Sequence, residues 1–279
     1  MTLPGRFVRS GKVKDIYDLD TEHLLFHFTD RVSAFDVILP SLIPRKGEVL
    51  CRLGAYWFET LGVMNHMVRL ESKDRMVVRK LHMIPVESVI RGYLYGSLYE
   101  RVRAGEVPAP SAKELAAELP EPYFDPTTKS DVKDVPINES EILGQRRMTA
   151  SELEQVKEAS FSIYQKLSAS ARRAGFILAD VKLEFGRNDH GEVVLGDSIG
   201  PDEFRLWPAE SYEVGKVQES YDKQVIRDWL TTVGYKKSLD EARSTRSKLP
   251  TPPELPGSLV AEVSNRYISA YEKLTGRTF

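Results

Sequence analysis

The stretch "LADVKLEFG", residues 178–186, constrains the chain more than any other. Ala179, Val181, Leu183 and Phe185 alternate with Asp180, Lys182 and Glu184. Successive side chains of a β-strand point to opposite faces, so the four apolar residues share one face and the three charges share the other. Such a strand needs a hydrophobic partner on one side only. The surrounding sequence supplies a frame: "FILADVKLEF" and "EVVLGD" read as two strands about "RNDHG", a hairpin signal. The second strand runs into Asp197. With an even number of loop residues, Glu184 and Asp197 fall on one face, opposite or diagonal to each other. Two bare carboxylates about 4 Å apart repel by ~4 kcal/mol at an effective dielectric of ~20. Mg²⁺, which takes one or two carboxylates plus substrate phosphates, would offset that repulsion. The other reading is a solvated outer face of an amphipathic strand.

Around this hairpin the chain reads as α+β. "HLLFHFTDR" and "RMVVRKL" are strand-like in β-branched and aromatic content, with "GEVLCRLGAYWFETLG" as a helix between them. The Pro-rich stretch 106–126 is expected to interrupt regular structure. A long helix follows. Ser151 and Glu154 form a capping-box pattern, Leu153, Val156, Ile163, Tyr164, Leu167, Ala171 and Ala174 make one apolar stripe, and Gly175 sits where a C-terminal cap belongs. A last helix carries Val260, Val263, Tyr267, Tyr271 and Leu274 on one side, with Gly276 at its end. The expected organisation is a β-rich N-terminal lobe over residues 1–85 and a larger mixed lobe over 86–279.

Composition narrows the function classes. The chain has 279 residues, enough for two lobes with real cores. It is 41% hydrophobic and 29% charged, with net charge −2, so nothing global points to nucleic acid or a membrane surface. A single cysteine, Cys51, excludes an internal disulfide framework and fits a reducing compartment. With no apolar signal core at the N-terminus, the expected location is cytoplasmic. Oligomeric state is open.

Four further clusters carry chemistry. In "GKVKDIYD", read as a strand after Gly11, Lys12 and Lys14 share a face; they either cover phosphates as a glycine-rich loop does or decorate an exposed strand. In "ESVIRGYLYGSLYERVRAGE", Arg91 ends an apolar strand and Ser97 is expected to cap a helix, whose N-terminus beside an arginine suits an anion. In "FDPTTKSDVKDVPIN", Lys129, Asp131, Lys133 and Asp134 crowd a segment that Pro126 and Pro136 keep from being helical. In "DRVSAFDVILP", Ser33 and Asp36 interrupt apolar sequence. Taken singly, each also fits an ordinary solvated loop or turn.

Laid in order, "GKVKDIYD", "DRVSAFDV", "ESVIRGYLYGS", "PTTKSDVKD", "ADVKLEFG", "LGDSIGPDEFRLWP" and "YDKQVIRDWL" resemble the phosphoribosylaminoimidazole-succinocarboxamide synthase (SAICAR synthetase) family of purine biosynthesis. The resemblance runs from about Gly11 to Leu230. It implies a two-lobed SAICAR synthase-like fold with ATP in the cleft. It also implies an ATP- and Mg²⁺-dependent ligase that joins the carboxylate of the aminoimidazole ribotide CAIR to the amine of L-aspartate. By this resemblance Gly11, Lys12, Val13 and Lys14 cover the ATP phosphates, and backbone near Leu81 and Met83 meets adenine. Glu184 and Asp197 hold the metal, while Arg91, Ser97 and Arg205 hold the ribotide phosphate. Lys129, Asp134 and Lys182 surround the reacting carboxylate, and Ser33 and Asp36 lie nearest the aspartate pocket. The chain departs from the family pattern in "DSIGPDEFR", where Ser198, Gly200, Glu203 and Phe204 replace a glutamate, a hydroxyl residue and two small residues. Glu203 adds negative charge beside an anion site. The alternative from the residues alone is a two-lobed small-metabolite kinase, but no H-R-D-like catalytic loop is present.

Overall fold

The computed structural model describes residues 5–108, 113–129 and 134–279, and its chain divides into two compact units. The first takes the chain up to Ala55, Met67–Arg79 and Tyr221–Phe279; the second takes Tyr56–His66 and Lys80–Ser220. The sequence division at residue 85 follows chain order, whereas here the C-terminal helices group with the N-terminal strands. Their side chains give the reason, since Tyr267 and Tyr271 are wholly buried in that unit.

In the first unit, β1 (Arg6–Ser10), β2 (Lys14–Asp18), β3 (His23–Phe28), β6 (Met67–Ser72) and β7 (Arg75–Arg79) form an antiparallel sheet of order β1-β2-β3-β7-β6. A separate hairpin joins β4 (Arg31–Ala34) to β5 (Val37–Leu42). Helix α1 (Lys46–Thr60) begins in this unit, which α5 (Gln224–Thr232), α6 (Tyr235–Ser244) and α7 (Gly257–Thr275) complete. The tail is tied down through hydrogen bonds. Arg52 donates to the Tyr271 hydroxyl at 2.9 Å, Ser264 Oγ to the Pro44 carbonyl at 2.7 Å, and the Leu255 N–H to Ser41 Oγ at 2.7 Å. Cys51 is fully buried in α1, and burial pushes its thiol pKa up, so it is a packing residue and not a nucleophile.

The second unit is built on two long antiparallel strands, β8 (His82–Tyr93) and β11 (Phe176–Arg187). β9 (Glu118–Phe124) and β10 (Thr127–Thr128) pair with β8, while β12 (Val193–Leu195) and β13 (Phe204–Pro208) pair with β11. Within the Pro-rich stretch, residues 106–108 and 113–117 are irregular, as the sequence suggested, but 118–124 form a strand. Pro120 and Pro122 sit in β9, which among the described residues pairs with β8 alone, and an outer strand tolerates missing N–H donors.

Helix α4 (Ala150–Arg173) covers one face of this sheet, and α2 (Gly96–Arg103), α3 (Glu139–Gly144) and the last residues of α1 also belong to the unit. Ser88 Oγ lies 2.7 Å from Ser160 Oγ, and the Tyr164 hydroxyl donates to the Leu178 carbonyl at 3.0 Å. A Cβ on Gly92 would fall 1.7 Å from the Tyr164 oxygen, so only glycine lets the tyrosine cross β8. Gly175 ends α4 in the left-handed conformation, as expected. The N-terminal cap lies two residues earlier than the sequence suggested: Thr149 and Glu152 form the capping box, not Ser151 and Glu154. The decisive difference is tertiary, because Arg187 at the end of β11 reaches Glu152 with two guanidinium nitrogens. Among the described residues no helix is long and apolar enough to cross a membrane.

The Arg187 hydrogen bond pulls the Glu152 carboxyl down to about 2, against a smaller opposing effect of burial and with help from the Thr149 cap. A lowered native pKa adds stability above the unfolded carboxylate value of ~4.3, and that stability is lost as pH falls toward the native value. Glu152→Gln keeps an acceptor for the capping box but removes the charge. It should destabilise the protein by about 1–3 kcal/mol at pH 7. Denaturant melts of the two proteins should converge as pH drops through 4 toward 2.

Candidate active site

The face of the sheet away from α4 carries the charges. On β8 these are Glu87 and Arg91, on β11 Asp180, Lys182 and Glu184, and on β13 Arg205. The register sets them in rows: Arg91 and Arg205 both pair with Asp180, and Glu87 pairs with Glu184. This face is not a solvated surface. Glu87, Arg91, Asp180 and Glu184 are all buried.

At one end the cluster is rich in arginine. Arg91 donates from Nε to Asp125 at 2.6 Å, from Nη1 to Asp180 at 3.1 Å and from Nη2 to Ser97 Oγ at 3.0 Å. Asp125 also receives Arg101, and Asp180 also receives Arg205. Three guanidinium groups thus face two carboxylates, leaving one net positive charge beside the first turn of α2. The structure brings together the three residues expected to hold a phosphate, Arg91, Ser97 and Arg205. Ser97 does not cap the helix, however. The cap position is Tyr95, with no side-chain hydrogen bond, and Ser97 lies in the first turn with its hydroxyl engaged by Arg91. Gly96 has φ +59°, and a Cβ there would meet Arg205 Nη2 at 2.8 Å. Asp180 is one of the three charges that the sequence places on one strand face; Asp125 and Arg101 escape sequence reading because their role depends on β9 and α2 docking beside β8.

At the other end the cluster is rich in lysine and glutamate. Lys182 donates to Glu87 at 2.8 Å, Lys129 binds Glu184 and lies 3.7 Å from Glu87, and Thr127 donates to Glu87 at 3.0 Å. Burial works against the charge on Lys182. The Glu87 carboxylate, followed by Glu184 and Glu203, outweighs it and pushes the ammonium pKa up. Lys182 is therefore a fixed cation and not a proton donor or acceptor near neutral pH. Glu87 escaped the sequence reading although it stands four residues before Arg91, on the same strand face. Lys129 and Asp134 flank a pair of hydrogen bonds: the Thr128 N–H donates to the Val135 carbonyl at 2.8 Å and the Val135 N–H to Thr128 Oγ1 at 3.1 Å. Asp131 and Lys133 lie outside the described residues.

The parity argument for Glu184 and Asp197 does not survive. Arg187 pairs with Val193, so the loop 188–192 has an odd length and Gly196, not Asp197, stands across from Glu184. The strand ends at Leu195, and Asp197 adopts φ +54°, which breaks the alternation on which parity depends. The two residues offer only oxygen donors, which suits a hard cation. No group of three or more His, Cys, Asp or Glu residues able to hold a metal occurs among the described residues.

In the first unit, "GKVKDIYD" is a hairpin turn and not one strand. The Gly11 N–H donates to the Lys14 carbonyl at 2.7 Å, so Lys12 lies in the turn while Lys14 begins β2. Lys12 pairs with Asp36, and Lys14 stands 4.8 and 5.4 Å above the rings of Phe26 and Phe28. Ser33 is buried in β4. Asp36 shares with Phe35 a left-handed two-residue turn between paired Ala34 and Val37. The Arg243 guanidinium holds the Phe35 carbonyl at 2.7 Å. Leu81 and the exposed Met83, at the start of β8, lie against Gly186 and Gly196, where any Cβ would press on them.

Comparison with known proteins shows the family to which the chain belongs. A family model described as SAICAR synthetase matches residues 7–242. The chain belongs to the SAICAR synthetase family. A phosphoribosylaminoimidazole-succinocarboxamide synthase of Nitrosopumilus maritimus is 49% identical over 98% of this chain and 99% of its own. One from Corynebacterium glutamicum is 40% identical over 98% and 95%. Among solved structures, the SAICAR synthase of Saccharomyces cerevisiae complexed with SAICAR superposes with TM-score 0.81 at 34% identity, covering 98% of this chain and 95% of that one. A SAICAR synthetase in complex with ADP gives 0.73 at 28% identity, covering 97% and 98%. The SAICAR synthetase fold and ligase class follow, and the kinase alternative falls away. The departure at Glu203 also finds a place, since its carbonyl accepts the Lys182 N–H at 2.7 Å and its charge acts on Lys182.

Gly96→Ala tests the arginine end. The new Cβ imposes a left-handed alanine, at a cost of about 1 kcal/mol, and pushes the Arg205 guanidinium from its seat. The melting temperature should fall by a few degrees; on the expectation that Arg205 holds the ribotide phosphate, the Michaelis constant for the ribotide should rise about tenfold while that for ATP stays within twofold.

Proposed function

We propose that this chain joins the carboxylate of CAIR to the amine of L-aspartate, converting ATP to ADP and phosphate and giving SAICAR. One observation supports the reading most directly: a single buried sheet face has arginines at one end and lysines at the other. CAIR likewise has a phosphate at one end and a carboxylate at the other. Asp180 and Glu184 mark the two ends, and four strand residues span roughly 13 Å.

The chemistry accounts for the residue types. A carboxylate does not accept an amine directly, because oxide would have to leave. The CAIR carboxylate oxygen first attacks the γ-phosphorus of ATP and ADP departs. The aspartate nitrogen then attacks the acyl carbon, and phosphate leaves as the amide forms and the amine loses its protons. All participants are anions, so catalysis rests on positioning and charge neutralisation. We assign Arg91, Ser97 and Arg205, with the first turn of α2, to the ribotide phosphate. Lys182, Lys129 and Asp134 are assigned to the surroundings of the reacting carboxylate. Because Lys182 stays protonated, it serves as a fixed charge beside the developing acyl phosphate. Gly11 to Lys14 are assigned to the ATP phosphates, backbone near Leu81 and Met83 to adenine, and Ser33 and Asp36 to the aspartate pocket. Glu184 and Asp197 would hold Mg²⁺, which supplies neutralisation of the phosphate oxygens when bound. The protein would work in the cytoplasm.

The direct test mixes protein, ATP, Mg²⁺ and CAIR with and without L-aspartate, and follows ADP and the amide product. Aspartate-dependent ADP matched by SAICAR is the expected result. ADP release without an amide product would overturn the reading. Glu184→Gln should keep its melting temperature within a few degrees, yet lose turnover by two or more powers of ten at limiting Mg²⁺; near-normal turnover would remove Glu184 from the metal.

The lysines of the hairpin make a separate test. A charge-assisted contact to phosphate is worth roughly 1.5–3 kcal/mol, or about one to two powers of ten in affinity. Lys12→Met and Lys14→Met should each weaken ATP by that factor in calorimetric titration and leave adenosine unchanged. Equal ATP affinities in all three proteins would return both lysines to the surface.

A further inference from the structure

We propose that His66 is a positioning residue for Asp197, acting through the backbone; the inference rests on the reading of Asp197 as a metal ligand. Asp197 has no glycine's freedom, yet holds φ +54° immediately after β12. A left-handed non-glycine residue is strained by roughly 1 kcal/mol or more and persists only where its surroundings fix it. The fixing groups come from the segment before β6. The Leu195 N–H donates to the Met64 carbonyl at 3.0 Å, and the His66 N–H donates to the Leu195 carbonyl at 3.1 Å. The His66 ring then reaches past the strand end, with Nε2 at 3.0 Å from the Asp197 carbonyl oxygen. A carbonyl only accepts, so Nε2 carries the proton. The ring is 3% exposed and packs edge-on against Phe58 at 5.5 Å between centroids, so it has little freedom to move away. On the other side of the same turn, the Gly196 N–H donates to the Glu184 carbonyl at 2.8 Å. The turn is thus held on both sides of Asp197, the peptide before Gly196 by β11 and the peptide after Asp197 by His66, and the backbone torsions between them set where the carboxylate points. Partners of this kind behind a metal ligand typically govern 10–100-fold in metal affinity.

The test reads Mg²⁺ through ADP, without turnover. ADP is titrated calorimetrically into each protein with and without Mg²⁺, and the ratio of the two dissociation constants is the readout. Asp197→Asn should collapse the ratio toward one. His66→Phe, which keeps the aromatic packing but has no donor, should lower the ratio about tenfold while the Mg²⁺-free affinity stays within twofold. His66→Gln, whose amide nitrogen can reach the same carbonyl, should keep the ratio within threefold of wild type. Should His66→Phe fail to fold, His66→Asn, with its shorter amide, takes its place and the same loss is expected. A ratio lost in Asp197→Asn but retained in His66→Phe overturns the inference alone, as does an equal loss in the Phe and Gln variants. A ratio that survives Asp197→Asn overturns the metal reading and the inference with it.

Discussion

The antiparallel pairing of β8 with β11 is the constraint on which the second unit depends. It fixes which side chains meet α4 and which do not. On the α4 side, Gly92 makes room for Tyr164, and the apolar residues of β11 pack beneath the helix. On the other side the same register lines up Arg91 with Asp180 and Glu87 with Glu184. A slip of one residue would exchange the faces, placing carboxylates under the helix and leucines in the site. The register is therefore enforced by both the core and the ion pairs.

Those ion pairs are costly to assemble. Arg91, Asp125 and Asp180 are nearly out of contact with water, and each charge must be matched because an unpartnered one would cost about 3–5 kcal/mol. The arginine end meets this by giving each donor nitrogen of Arg91 an acceptor. The glutamate end places two carboxylates directly across from each other and sets Lys129 and Lys182 against them. Such a network is organised before any anion arrives, so its dipoles need little reorganisation when charge shifts. Its five cations exceed its four carboxylates by one, and that single excess charge sits at the arginine end.

What could be read in the sequence follows from the range of the interactions. The alternation from Ala179 to Phe185 is local, and it appears unchanged as the two faces of β11. Gly175 and Gly276 likewise end their helices in left-handed conformations. Glu87 was legible in principle, since a period of two counted back from Arg91 reaches it. Asp125 was not, because its partners are set by the pairing of Arg91 with Tyr123 on β9. The Glu184–Asp197 parity failed for want of the loop length, and the shared face of Lys12 and Lys14 failed because the Gly11 hydrogen bond turns the chain between two strands. Two capping boxes were written in residues 149–154, and a distant arginine chose between them.

The tail that folds back onto the first unit has a consequence for synthesis. The N-terminal strands leave the ribosome long before α7, whose Tyr267 and Tyr271 fill the same core. At about 5–20 residues per second, the stretch from Arg79 to the end of α7 takes roughly 10–40 s to appear. The second unit needs only Tyr56–His66, already made, and Lys80–Ser220, so it can close while translation continues. The first cannot, and its exposed apolar strands must stay unaggregated until the last helix emerges. A nascent chain of this protein thus completes its middle before its beginning.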